Sequence, residues 1–283
     1  LPKTGAALIR KERIKESSYV HHMWQNRVPE DGTLISSKER SEIMAKYHIW
    51  WQSTMREGGY PEYTKAVEEH AKQILSPEFD LEMHGVVNGT DNVNWLAGKY
   101  FNDREILRYM LEAKERNFDA IALGCFQDPV MNEIREMLDV PVFGMCETSF
   151  QWGTIYGTRP AMLHYSNDYV NKLLPRLVHA YRMDDRFVYT KPFDITFDTL
   201  MEALTGDPGP AIDMSMKAAK QAIDHGADII LPGCGLLNLI LALNEVTEVP
   251  GTGVTIMDVT ALLLKVTEAG VMLREKTGLK RSN

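Results

Sequence analysis

The chain has 283 residues, room for two modest domains or one large one. Apolar and charged contents of 44% and 25% are those of a soluble globular protein. A formal net charge of −8 argues against a general role in gripping nucleic-acid phosphates.

In chain order, residues 1–45 read as a charged N-terminal extension. It opens LPKTGAALIRKERIKESS, which lacks the apolar core of a signal peptide. The letters LPKTG match a sortase sorting signal, but those signals stand at a C-terminus before a hydrophobic tail. RIKESSYVHHMWQNR is helical in pattern and VPEDGTLISS is turn-rich, so the extension is expected to pack on the domain or on a neighbouring subunit.

From Lys46 the pattern changes. KYHIWWQS reads as a strand, YPEYTKAVEEHAKQI as a helix and FDLEMHGV as an alternating strand. DREILRYMLEAKERN is a helix, FDAIALGC a buried strand, DPVMNEIREML a helix and VPVFGMC another buried strand. The second half repeats the theme. AMLHYS is a strand, NDYVNKLLPRLVHAYRM a helix that tolerates Pro175, and DRFVYTKPF a short strand with a loop. AIDMSMKAAKQAIDHG is a helix ending at Gly226, ADIILPGC a strand, LLNLILALNEV a buried helix and GVTIMDV a strand. A long helix, TALLLKVTEAGVMLREKTG, closes the chain.

Such alternation implies an α/β fold with parallel sheets and right-handed crossovers. The longest apolar run, DIILPGCGLLNLILAL, holds Asp, Pro and two Gly and is too short for a bilayer, so no membrane partner is expected. Three cysteines, an odd number, suit a reducing compartment better than a disulfide framework, and a cytoplasmic location is expected.

The repeat has a register. Cys234 follows Cys125 at an offset of 109 (234 − 125), and the same offset joins Asp119 to Asp228, Gly124 to Gly233, and Val140–Pro141 to Val249–Pro250. The economical reading is two Rossmann-like halves related by a pseudo-two-fold axis. Their expected bounds are 46–157, with the closing helix 260–283 packed back on it, and 158–259.

Ligands of open parallel sheets bind beyond the carboxyl ends of the strands, and both cysteines sit at such ends before a helix. Gly124 and Gly233 would let the backbone turn sharply there, and Asp128–Pro129 reads as a helix start with Asp as cap. Free amides at a helix start favour thiolate, so the thiol pKa is expected below its usual value of ~8.5. Two thiols facing one cleft suit inversion of a stereocentre beside a carbonyl: one removes a proton from one face and the other returns one to the opposite face. Backbone amides following each cysteine, at Phe126, Gln127 and Gly235, are the natural holders of a developing enolate oxygen.

The paired GC strand ends, GCFQDP, VPVFGMCE and ADIILPGCG together resemble the aspartate/glutamate racemase superfamily, nearest to its hydantoin racemase-like branch. The resemblance spans nearly everything from Lys46 onward. It implies a pseudosymmetric two-domain protein that works without a cofactor, with Cys125 and Cys234 as the acid/base pair. It also implies substrate contacts from Gln52, Ser53 and Thr54 after the first strand, from Glu147, Thr148 and Ser149 after VPVFG, and a homo-oligomer. The chain departs from that branch in having WWQST where an Asn-Pro-Asn-Thr-like segment is usual, and GCGLL where a hydroxyl commonly follows the second cysteine.

Other features carry blander readings. Cys146 has Thr255 at the repeat offset and reads as a core or pocket-wall residue. Glu147 could bond a substrate N–H, orient a thiol or cap the following helix. The scattered histidines, with Glu82 and His84 alternating on a strand, show no ligand spacing, so no metal is expected. TGDPGP and PGTGV match no phosphate or dinucleotide fingerprint and read as loops. Trp50–Trp51 could line an apolar pocket or pack in the core.

The reading is a cofactor-independent racemase or epimerase of a carbon acid, a 5-substituted hydantoin or related cyclic amide first in line. Alternatives are a maleate-type cis–trans isomerase using one cysteine as nucleophile, an arylmalonate-type decarboxylase using one as proton donor, or a small-molecule binder without chemistry.

Overall fold

Residues 45–90, 95–165 and 168–281 are described by a computed structural model. All but the last residue of the expected extension lies outside these. In the first half, β1 (Tyr47–Arg56), β2 (Phe79–Val86), β3 (Ala120–Leu123) and β4 (Val142–Gly144) form a parallel sheet in the order β2-β1-β3-β4. Its crossovers are α1 (Pro61–Ile74), α2 (Leu96–Glu115) and α3 (Met131–Met137), and α4 (Met145–Tyr156) leads out of β4.

The second sheet runs β5-β6-β8-β7, from β5 (Pro160–Leu163), β6 (Ile229–Pro232), β7 (Glu248–Val249) and β8 (Val254–Ile256). Helices α5 (Asp168–Ala180), α6 (Phe197–Thr205) and α7 (Gly209–Asp224) join β5 to β6, and α8 (Gly235–Leu243) follows β6. Pro175 sits inside α5 as expected, whereas α6, capped by the Thr196 side chain, is a helix the sequence pattern did not announce. The segment expected as a short strand makes only isolated bridges, Val188 with Ala161 and Phe193 with Tyr165. The closing helix α9 (Val259–Thr277) lies on the first sheet: Gly270 abuts Phe143 and Pro141, and the Glu268 carboxylate accepts from Ser76 N.

The two halves repeat in atomic detail. β3 and β6 are offset by the same 109 residues as the cysteines (229 − 120), which makes Ile49 on β1 equivalent to Pro160 on β5 through their partners Ala120 and Ile229. Asp119 accepts from His48 N (2.8 Å), and Asp228 accepts from Arg159 N (2.7 Å), the equivalent residue. Gly124 N donates to Gln52 O and Gly233 N to Leu163 O, again equivalent pairs. Each carboxylate clasps the start of one strand to the next; each glycine amide ties their ends.

The repeat stops being exact beyond the following helix. Val140–Pro141 lead directly into the parallel strand β4, but Val249–Pro250 belong to a hairpin whose β7 pairs antiparallel with β8. Thus the expected Val-Pro match is coincidental in structure: the partner of Val142 in the repeat is Ile256, and one edge of the second sheet is not parallel.

Trp50 and Trp51 point to opposite faces of β1 and are both fully buried. Trp50 stacks on His84 (3.3 Å between centroids), which accounts for that histidine in the core. The wall-or-core question for this pair is settled for the core. No described helix is long and apolar enough to cross a membrane.

Candidate active site

The carboxyl ends of the two sheets enclose one cleft of about 420 Å³, within the usual range for small-molecule sites. Both Cys125 and Cys234 line it, each partly buried, with Gly124 and Gly233 beside them. Neither glycine has a positive φ, so a sharp turn is not their reason. A Cβ on Gly124 would lie inside the Trp51 indole, and one on Gly233 would press on Met162 and the Leu163 carbonyl. Small size, not backbone freedom, brings the strand ends together.

The two thiols have different surroundings. Cys234 is the N-cap residue of α8, and the amides of Leu236 and Leu237 turn to its sulfur. Cys125 is not next to a helix start. The chain makes a tight turn there, Asp128 N bonding Cys125 O, with Asp128 (φ 43°) and Val130 (φ 45°) in left-handed conformation, and α3 begins only at Met131. Its sulfur accepts from Thr54 Oγ1 (3.4 Å), and the Gln127 amide also turns to it. The expected depression of the thiol pKa does not occur. Burial outweighs these donors and pushes Cys125 up to about 11; burial likewise raises Cys234.

Asp128 does not cap the helix that follows it. Its Oδ1 accepts from Cys146 N (2.9 Å), and its Oδ2 from Glu147 N (2.7 Å) and the Tyr181 hydroxyl (2.7 Å), so it closes the start of α4 instead. That explains why the residues after VPVFG miss the cleft. Glu147 forms a bidentate pair with Arg135 (2.6 and 3.1 Å), Thr148 is buried, and Ser149 Oγ donates to Met145 O. Cys146 is fully buried in the core. Gln52 misses it too: its amide nitrogen donates to the carbonyls of Ser53, His84 and Gly85, and its oxygen accepts from Trp50 Nε1. The remaining expected residues, Ser53, Thr54, Phe126, Gln127 and Gly235, do line it.

Burial raises the Asp128 carboxyl from its ordinary 3.8 to about 6, against the pull of its three donors. The folded protein therefore holds this proton over a window where the unfolded chain has released it. Stability from this group is fully present below pH ~4 and is lost as the pH climbs through ~6, by about 3 kcal/mol at ~1.4 kcal/mol per pH unit. Urea midpoints measured between pH 4 and 7 should fall accordingly, and Asp128→Asn should flatten the slope. An unchanged slope in the variant would assign it to another group.

Several lining residues had no signal in the sequence. Tyr63 and Tyr60 come from the start of α1, and Val170, Leu173, Leu174 and Leu177 from α5; Phe197 of α6 meets Tyr60 edge to face (5.5 Å). His164 stands one residue past β5, as Ser53 would on β1 if the latter ended at its partnered residue Gln52. It is buried, burial lowers its pKa, and its Nδ1 has no partner among the described residues. Only the internal repeat, which makes His164 the equivalent of Ser53, could have pointed to it. Among the described residues no group of three or more His, Cys, Asp or Glu side chains is arranged to hold a metal.

The fold and the cleft define a two-lobed α/β protein with one cleft at the facing strand ends, lined by one thiol from each lobe. The family model described as Asp/Glu/Hydantoin racemase matches residues 61–267, and the chain belongs to that family. It is accordingly an isomerase of the racemase class. A hydantoin racemase of Pseudomonas sp. (strain NS671) is 24% identical over 218 residues, 76% of this chain and 83% of that protein. The solved allantoin racemase from Klebsiella pneumoniae superposes with a TM-score of 0.71 at 19% identity, over 83% of this chain and 90% of that one. The allantoin racemase from Pseudomonas fluorescens gives 0.66 at 19% identity, over 83% and 93%.

Proposed function

We propose that this chain inverts the carbon alpha to a carbonyl in a 5-substituted hydantoin or a related cyclic amide, without a cofactor, with Cys125 and Cys234 as the two bases. The observation that carries this reading is the arrival of both thiols in one cleft from equivalent strand ends. One sulfur, as thiolate, takes the proton from C5 and leaves an enolate whose charge lies on the neighbouring carbonyl oxygen. The other, as thiol, returns a proton to the opposite face and becomes the thiolate. The pair finishes with its roles exchanged, ready for the other enantiomer. The lobes 46–157, with the terminal helix, and 158–259 thus contribute one base each.

The lining favours a neutral ring. Charged groups in it are Arg56 and Asp198, both solvent-exposed, while the residues around the thiols offer hydroxyl, imidazole, thioether and aromatic groups. No buried cation lines the cleft to offset the two negative charges of an amino dicarboxylate. The aliphatic wall of α5, with Tyr60 and Phe197, suits an apolar substituent on C5.

Single enantiomers of 5-benzylhydantoin, 5-isobutylhydantoin, allantoin and glutamate, incubated in heavy water, test the reading. Loss of optical rotation with deuterium entering C5 of the hydantoins is the expected result. Exchange of glutamate alone, or of no compound, would overturn the substrate assignment.

A further inference from the structure

Amides that could hold an enolate oxygen are partly committed elsewhere. Those of Gln127, Leu236 and Leu237 turn to the sulfurs. The amides of Phe126 and Gly235 remain, and α1 supplies a further donor, from a side chain. Tyr63, at the third position of that helix, is 4% exposed, and its ring is part of the main core with Trp51, Phe126 and Met145. Its hydroxyl reaches the cleft beside Gly235, 3.0 Å from where a Cβ on that glycine would stand. The carbonyl of Gly124 lies 3.7 Å from the same point. Gly124 precedes one thiol-bearing residue and Gly235 follows the other, so the phenol stands at the seam where the two strand ends meet.

The ring is buried but the residue lines the cleft, where a bound molecule can accept from its O–H. A glycine at 235 is what admits it: any side chain there would contact the phenol oxygen. Burial and the neighbouring thiols of Cys234 and Cys125 also push its ionisation upward, which keeps it a donor at every working pH.

We infer that Tyr63 is a third catalytic residue, donating a hydrogen bond to the substrate oxygen beside the carbon held between the thiols and stabilising the charge that develops there. This rests on the racemase reading and deepens it. A donor aimed at developing charge acts on the transition state more than on bound substrate, and losing one typically costs about 10²–10³ in turnover.

The test is Tyr63→Phe, which keeps the ring and removes the oxygen, assayed beside wild type on the enantiomers of 5-benzylhydantoin. The expected result is a kcat lower by about 10²-fold or more, with KM within about threefold and an unchanged thermal midpoint. Deuterium uptake at C5 should slow for both enantiomers together, because the hydroxyl serves the oxygen and not one face of the carbon. A variant with wild-type kcat, or one in which KM alone rises, overturns the inference while the racemase reading stands. A wild type that exchanges no proton from any hydantoin removes both.

Discussion

Cys125→Ala and Cys234→Ala should each lower racemisation of a 5-substituted hydantoin by about 10³-fold or more, since each removes the group that works on one face of the carbon. Racemisation needs both faces, so neither variant retains half of the activity. Proton exchange needs only one. In heavy water each variant should still exchange the α-proton of the enantiomer whose C–H faces its remaining thiol, with retention of configuration, and the two variants should select opposite enantiomers. Equal residual exchange of both enantiomers in either variant would sink the two-base assignment.

The pH profile follows from the same site. The competent form carries one thiolate and one thiol, so activity rises as the pair loses its first proton and falls as it loses its second. Because burial raises both thiols, Cys125 to about 11, the ascending limb should lie on the alkaline side of neutrality. A plateau already reached at pH 6 would mean that the sulfurs are far more acidic than their burial allows.

Gly124→Ala should be among the most destabilising single substitutions in the chain. The added methyl would occupy the space of the Trp51 indole, which is itself fully buried and cannot swing aside. Forcing a methyl into a packed core costs about 1–3 kcal/mol and sometimes more; here the obstacle is a rigid ring, so about 3 kcal/mol or greater is expected. It would also spread the strand end that carries Cys125, so activity should fall with stability. Gly153→Ala is the control. That glycine lies inside α4 with its nearest neighbours at 3.5–3.6 Å, ordinary contact, and the change should be neutral or stabilising by about 0.5–1 kcal/mol. Urea midpoints of the three proteins decide the point. Equal losses in the two variants would mean that the Trp51 contact is not the cause.

Sequence alone carried the fold a long way. Alternation of apolar strands with amphipathic helices dictates α/β, and the shared offset of Asp119, Gly124 and Cys125 with Asp228, Gly233 and Cys234 marks two copies of one unit. Those residues keep their letters because each copy needs the same clasp, the same small residue and the same thiol in the same place, so the chemistry is written locally. The Val-Pro pair misled because two letters at a strand approach say nothing of the hairpin inserted between α8 and β8.

What surrounds the thiols was decided by tertiary structure. Asp128 read as a local helix cap, yet its left-handed backbone turns it onto α4, where it gathers Cys146 N, Glu147 N and the Tyr181 hydroxyl and withdraws Glu147, Thr148 and Ser149 from the cleft. Tyr63 and His164 look in sequence like any helix tyrosine or strand-end histidine; only the folded arrangement brings them into the lining of the cleft that holds the thiols. Thiol acidity turned the same way. A helix start argues for thiolate, but desolvation is a property of the assembled cleft, and it is the larger effect.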